Sequence, residues 1–140
     1  MKNQLFILLL IISSSFFACK KKKHLLIGSW ETVNYEFRVG DDPVWEVLEE
    51  ACRYDDIEEF DEYGTWTHYD GTNQCVPGLS IYKSQYKISA NNKKIIHVYE
   101  DAIGEYEYDI ELLTEDELVV TWGSGDLVNT QYRESYKRLN

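Results

Sequence analysis

The sequence reads as an all-β sandwich or barrel, on three observations. Turn signals recur along the chain, at Gly40-Asp41-Asp42-Pro43, Tyr63-Gly64, Asp70-Gly71-Thr72-Asn73, Pro77-Gly78, Ala90-Asn91-Asn92, Ile103-Gly104, Thr114-Glu115-Asp116 and Gly123-Ser124-Gly125-Asp126. Short runs rich in Tyr, Val, Ile, Thr and Trp lie between most of them. Inside several runs apolar and polar residues alternate with period two, which gives a strand one buried and one wet face. Short strands at such even spacing are the signature of a sandwich or a barrel.

The first strand is expected at 28–39. Trp30 and the set Val33, Tyr35 and Phe37 fall on opposite parities there, so a bulge is needed to bring both to one face. Asp42 and Pro43 are suited to cap and open one short helix near 43–51, with Trp45, Leu48 and Cys52 on one side at i, i+3, i+7. Strands follow near 55–60 and 65–69. At 79–89, Tyr82, Tyr86 and Ile88 oppose Lys83, Gln85 and Lys87. At 94–100 both faces are partly apolar, Ile96 and Val98 against Ile95, His97 and Tyr99, and the inward face stays open. The clearest strand is 105–113, where Tyr106, Tyr108, Ile110 and Leu112 alternate with Glu105, Glu107, Asp109 and Glu111. Leu118, Val120 and Trp122 repeat the pattern in 117–123, and 127–138 completes eight strands. Most connections are short enough for hairpins.

The 140 residues, 44% hydrophobic and 14% aromatic, suffice for one domain with a real core and argue against intrinsic disorder. Fourteen Lys+Arg against 25 Asp+Glu give a formal charge of −11, which excludes a typical nucleic-acid-binding surface.

The first residues have the layout of a secretory signal. Lys2 precedes the apolar run Leu5-Phe6-Ile7-Leu8-Leu9-Leu10-Ile11-Ile12, which is too short for a spanning helix, and Ala18 stands just before Cys19. Phe16-Phe17-Ala18-Cys19 resembles a bacterial lipobox, with Phe16 in place of the usual Leu. The resemblance implies a signal peptide over 1–18, lipidation at Cys19, a lysine-rich tether over 19–24 and a domain over 25–140. The chain then meets the membrane through its lipid. Lys20 and the lysines after it lack the acids associated with inner-membrane retention or surface export, which implies the periplasmic side of the outer membrane. Without Lys2, Lys20, Lys21, Lys22 and Lys23, nine Lys+Arg face all 25 acids, a charge of −16 on the domain. The domain is therefore expected to stand off from an anionic membrane surface. In an exported compartment the even pair Cys52 and Cys75 reads as one disulfide rather than two free thiols, and it lacks the nearby histidines of a zinc site.

Leu25-Leu26-Ile27-Gly28-Ser29-Trp30 opens the first strand and Tyr136-Lys137-Arg138-Leu139 ends the last. Between them, Cys52-Arg53-Tyr54-Asp55-Asp56 leads through Phe60 and Gly64-Thr65-Trp66 to Cys75. Together these segments resemble the small lipocalin-like domains of bacterial lipoproteins, over roughly 25–139. The resemblance implies an eight-stranded antiparallel up-and-down β-barrel whose closed end is plugged by Trp30 with Arg138 laid across it. Closure also fits the physics, since it removes exposed strand edges, and eight strands leave room for side chains alone or for one small ligand.

Tyr35, Trp66, Tyr82, Tyr86, Tyr106, Tyr108 and Trp122 alternate with polar residues on these strands, and His68 shares a face with Trp66. Two readings stand: these groups line a cup for a small apolar or amphipathic ligand, or they fill the barrel. If the barrel is filled, the protein is a solid interaction or envelope-structural module whose acidic loops dock a partner protein or a cationic envelope component. The acidic run over 55–62 lacks the spacing and central glycine of a calcium loop and reads as solvated surface. His24, His68 and His97 have no metal-ligand spacing, and no nucleophile elbow or phosphate-binding loop is present. No catalytic residue, cofactor or metal is expected. Were chemistry hosted at all, His68 or a buried tyrosine would carry it.

Overall fold

The computed structural model describes residues 23–49, 52–75, 78, 81–98, 104–125 and 129–140. Cys19, the signal segment and Lys20, Lys21 and Lys22 lie outside them. Among the described residues nine strands run in order: β1 (Gly28–Val39), β2 (Glu46–Val47), β3 (Ile57–Phe60), β4 (Thr65–Tyr69), β5 (Ile81–Ile88), β6 (Lys94–Val98), β7 (Glu105–Leu113), β8 (Glu117–Gly123) and β9 (Thr130–Arg138). All pairings are antiparallel, and β1 through β9 without β2 form an up-and-down meander closed by β1 on β9, from Trp30↔Arg138 to Val39↔Thr130. Each of these eight strands thus has a neighbour on both sides, which satisfies ladder groups that an open sheet would leave at an edge. This is a closed eight-stranded β-barrel, consistent with a lipocalin-like fold.

The conflict of parity in β1 is resolved by a bulge. The β1–β9 register shifts between Thr32 and Asn34, so Val33 turns outward at 44% exposure while Trp30, Thr32 and Tyr35 are all buried. A second shift, between Ile110 and Leu112 in β7, sends Leu112 outward and brings Leu113 against the core. The expected inward set of β7 therefore holds for Tyr108 and Ile110 and fails at Leu112. In β6 the inward residues are Ile95 and His97, both buried.

No helix forms over 43–49; residues 50 and 51 lie outside the described set. Val44 N–H does donate to the Asp42 carboxylate at 2.9 Å, as a cap would require, but one turn later Glu46 and Val47 pair with Phe37 and Glu36. Leu48 N–H donates to Tyr35 O at 2.8 Å, and the Trp45 ring lies beneath the guanidinium groups of Arg38 (4.4 Å) and Arg133 (5.8 Å). β3 covers β1 only along Gly28–Glu31, so the upper edge of β1 is open to β2. These partners, absent from a free helix, outweigh the local capping signal. The short helix of the chain is instead a single turn at 23–26.

That turn seals one end of the barrel. Leu26 and Trp30 are fully buried, and Trp30 Nε1–H donates to Leu26 O at 2.9 Å. The Arg138 guanidinium lies 4.2 Å above the Trp30 ring and donates to the carbonyls of Ile27 (2.8 Å), Leu25 and Glu115. One side chain thus ties the helical turn, β9 and the β7–β8 turn together, with a cation–π contact worth about 0.5–2 kcal/mol beneath it. Phe60, Tyr86, Ile95, Leu118 and Tyr136 pack above Trp30 as the core.

At the opposite end, the connection from β1 to β3 bends across the barrel mouth. It is clasped to the β4–β5 connection by a Cys52–Cys75 disulfide, with Cα atoms 5.1 Å apart. Thr72 N–H donates to Asp55 (2.7 Å) and Gly71 N–H to Asp56 (2.9 Å) beside it. A Cβ on Gly71 would sit 2.1 Å from the Asp55 carboxylate, so a larger residue there would have to displace that side chain and its bond to Thr72.

Candidate functional site

Between the sealed end and the clasped mouth the barrel encloses a cavity of about 300 Å³. Inward positions of β3, β6 and β8 supply its floor, Phe60, Ile95, Leu118 and Val120. Its aromatic wall is a chain of edge contacts: Trp66 to His97 (4.5 Å between centroids), His97 to Tyr108 (4.9 Å) and Tyr108 to Trp122 (5.1 Å). The remaining wall is polar and charged, made by Arg53, Glu58, His68, Glu134, Tyr136 and Tyr82.

The charged groups are coupled. His68 Nδ1 lies 2.8 Å from Glu58 Oε1 and Nε2 lies 2.9 Å from Asp70 Oδ1, with Asp56 Oδ2 at 3.8 Å. Burial disfavours its charge, but hydrogen bonds and charges from Glu58, Asp70 and Asp56 outweigh burial and hold the imidazole up at about 9. His68 is therefore an imidazolium at neutral pH, donating from both nitrogens and without a lone pair to accept a proton. Asp56, His68 and Asp70 also bring one ligand-type atom each within 4.8 Å of one another, a grouping that could hold a metal ion. Glu58 also accepts from Trp66 Nε1.

His97 behaves oppositely. Burial among Phe60, Trp66 and Tyr108 pushes it down to about 4, so it is neutral. Glu134, 7% exposed, is pushed up to about 7 by burial and then by the Glu58 charge; Tyr136, Arg53 and the Thr32 hydroxyl pull back less strongly. Tyr136 is in turn held well above the usual phenol range by burial and Glu134.

Of the residues the sequence nominates, Trp66, His68, Tyr82, Tyr108 and Trp122 lie on the cavity wall. Tyr35 stands behind it, stacked on Trp122 (6.0 Å) and Tyr132 (5.8 Å) under the Arg53 guanidinium (4.7 Å). Tyr86 belongs to the sealed end, edge-on to Phe60 at 5.1 Å with its hydroxyl donating to Asp61 O. Tyr106 is 56% exposed and borders a second recess, with Tyr108, Trp122 and Ser124.

Sequence reasoning misses the acids of this wall. Asp56 and Glu58 are buried at 5% and 8% exposure, so the run over 55–62 is not simply a solvated face. Neighbouring acids do point to opposite sides, and every second one points in. The available signal is parity: Glu58 is in phase with Phe60, and Glu134 stands between Tyr132 and Tyr136. An acid on the apolar phase of a strand is the sign of a carboxylate turned toward the lumen. Neither a family model nor a curated protein matches this sequence.

Proposed function

We propose that this protein is a lipocalin-like lipoprotein that binds one small amphipathic molecule in its barrel, held at the periplasmic face of the outer membrane by lipid on Cys19. The cavity carries this reading: about 300 Å³ with rings on one side and buried charged groups on the other. That pairing of an apolar wall with a few fixed polar groups is what small-molecule sites share. A barrel serving only as a solid module has no use for Glu134 at its centre, where burial and the Glu58 charge work against its carboxylate. The anchor rests on the apolar run Leu5-Phe6-Ile7-Leu8-Leu9-Leu10-Ile11-Ile12 and on Phe16-Phe17-Ala18-Cys19.

Mass spectrometry of the protein extracted from its own membranes tests both halves. In the native spectrum an added mass that leaves on denaturation is expected. In the denatured spectrum the expected chain starts at Cys19 and carries a diacylglycerol. A bare native mass, persisting after incubation with envelope extracts, would count against binding; an unlipidated chain would count against the anchor.

A further inference from the structure

We propose that the occupant of the lumen is a small organic ammonium, its nitrogen on the Glu58 and Glu134 side and its apolar body against Trp66, Tyr108 and Trp122. This rests on the lumen being a binding site, and it names the ligand class.

The charge inventory points this way. Among the described residues, the charged groups of the lumen and its mouth are Arg53, Asp56, Glu58, His68, Asp70 and Glu134, two cations against four carboxylates. Both cations are already engaged within the wall. His68 spends both N–H groups on Glu58 and Asp70, with Asp56 behind it. Arg53 lies over the Tyr35 ring and is attracted to Glu134. A fatty acid entering here would bring a further negative charge to an acid-rich wall. An ammonium supplies the missing one, while the apolar body that carries it packs against the rings opposite.

Position agrees with charge. Glu134 reaches the cavity from β9 with Tyr136 beside it, Thr32 of β1 donating to it at 3.4 Å and only apolar Val120 as its β8 register partner. The groups that titrate or carry charge around it are Glu58 of β3, Arg53 of the mouth connection and Tyr136 of its own strand. Burial and Glu58 keep a proton on Glu134 up to about pH 7. An arriving ammonium takes over the role of that proton, so binding releases it and strengthens as pH rises. A domain charge of −16 draws cations toward the mouth from outside. At about 300 Å³ the cavity lies at the small end for ligand pockets and suits a one-ring molecule better than a long acyl chain.

The test is isothermal titration of the full-length protein in detergent with 2-phenylethylammonium, 2-phenylethanol and 3-phenylpropionate, each at pH 6 and pH 8 against empty micelles. The ammonium is expected to bind at least about tenfold tighter than the other two at pH 8 and to weaken about tenfold at pH 6, as Glu134 protonates. Glu134→Gln should erase the preference and the pH dependence with the near-ultraviolet dichroism of the barrel retained. Should that variant fail to fold, the wild-type comparison decides alone. Equal or tighter binding of the alcohol or the carboxylate overturns the ammonium and leaves cavity binding standing. So does a neutral or acidic molecule released in the native spectrum. If no probe binds and the native mass is bare, the binding reading falls and this inference with it.

Discussion

Glu134 is the residue at which stability and function pull apart. Its carboxyl is 7% exposed and pushed up to about 7, from an ordinary 4.5, by burial and by the charge of Glu58. A folded-state pKa above the unfolded one means that the favourable, protonated form is lost as pH rises through 7. Above that, the barrel carries a buried charge that Arg53 only partly offsets. The shift corresponds to on the order of 3 kcal/mol. Glu134→Gln keeps the shape and removes the charge, so the variant should be more stable than wild type at pH 8, by up to that amount less what Arg53 loses. At pH 5 the gain should shrink below about 1 kcal/mol, because wild-type Glu134 is then largely protonated when folded. Urea melts at the two pH values check this; a variant less stable at pH 8 would mean that the carboxylate is well paired in the empty barrel. A residue that weakens its own fold is a functional candidate on physical grounds.

At the scale of elements, the mouth depends on a clasp between two connections rather than on a strand ladder. Cys52–Cys75 closes a separation of 23 residues, for which loop entropy gives roughly 3 kcal/mol. Cys52→Ser should therefore melt roughly 10 °C below wild type in non-reducing buffer and together with it under reductant. Coincident melts in both buffers would show that Asp55, Asp56 and their bonds to Thr72 and Gly71 hold the mouth unaided. The strands were largely legible in the residues: alternation at 81–88 reappears in the burial of Ser84 and Tyr86, and in 117–123 Leu118 and Val120 join the core as expected, although Val119 between them is buried as well. The β1 bulge was legible too, since Trp30 and Tyr35 can share a face only across an extra residue. The bulge in β7 was not, because Leu112 and Leu113 are both apolar and either could face inward. The helix expected near 43–51 failed because capping is local, while the Trp45 and Leu48 partners lie on β1 and β9. The acids of the cavity were missed for a similar reason: hydropathy counts apolar residues per face and discards the polar one among them.

For the whole molecule, three groups, the buried Glu134 and His97 and the part-buried His68, set the pH at which the barrel is firmest. His68 is held up at about 9, from 6.5, against burial, by Glu58, Asp70 and Asp56. Its stabilising proton is fully bound below pH 6.5 and is lost as pH rises through 9. Glu134, up at about 7 from 4.5, loses its own between those values. His97, down at about 4 from 6.5 through burial, runs the other way: its contribution is complete above 6.5 and fades as pH falls through 4. On the acid side Glu134 and His97 therefore offset each other, and between pH 4.5 and 6.5 the three together leave stability nearly level. On the alkaline side nothing offsets His68. Stability should fall from pH 6.5 to pH 9 by on the order of 3 kcal/mol, with the domain's −16 charge adding to the same slope. Thermal melts across that range, with an NMR titration of the His68 ring in the folded state, measure the fall and its source together. A flat or rising melting temperature, or a His68 that titrates at its ordinary value, would mean that the Glu58–His68–Asp70 clamp is not a charged one. The imidazole would then have a nitrogen free to accept a proton, and the lumen would hold one cation fewer against the same four carboxylates.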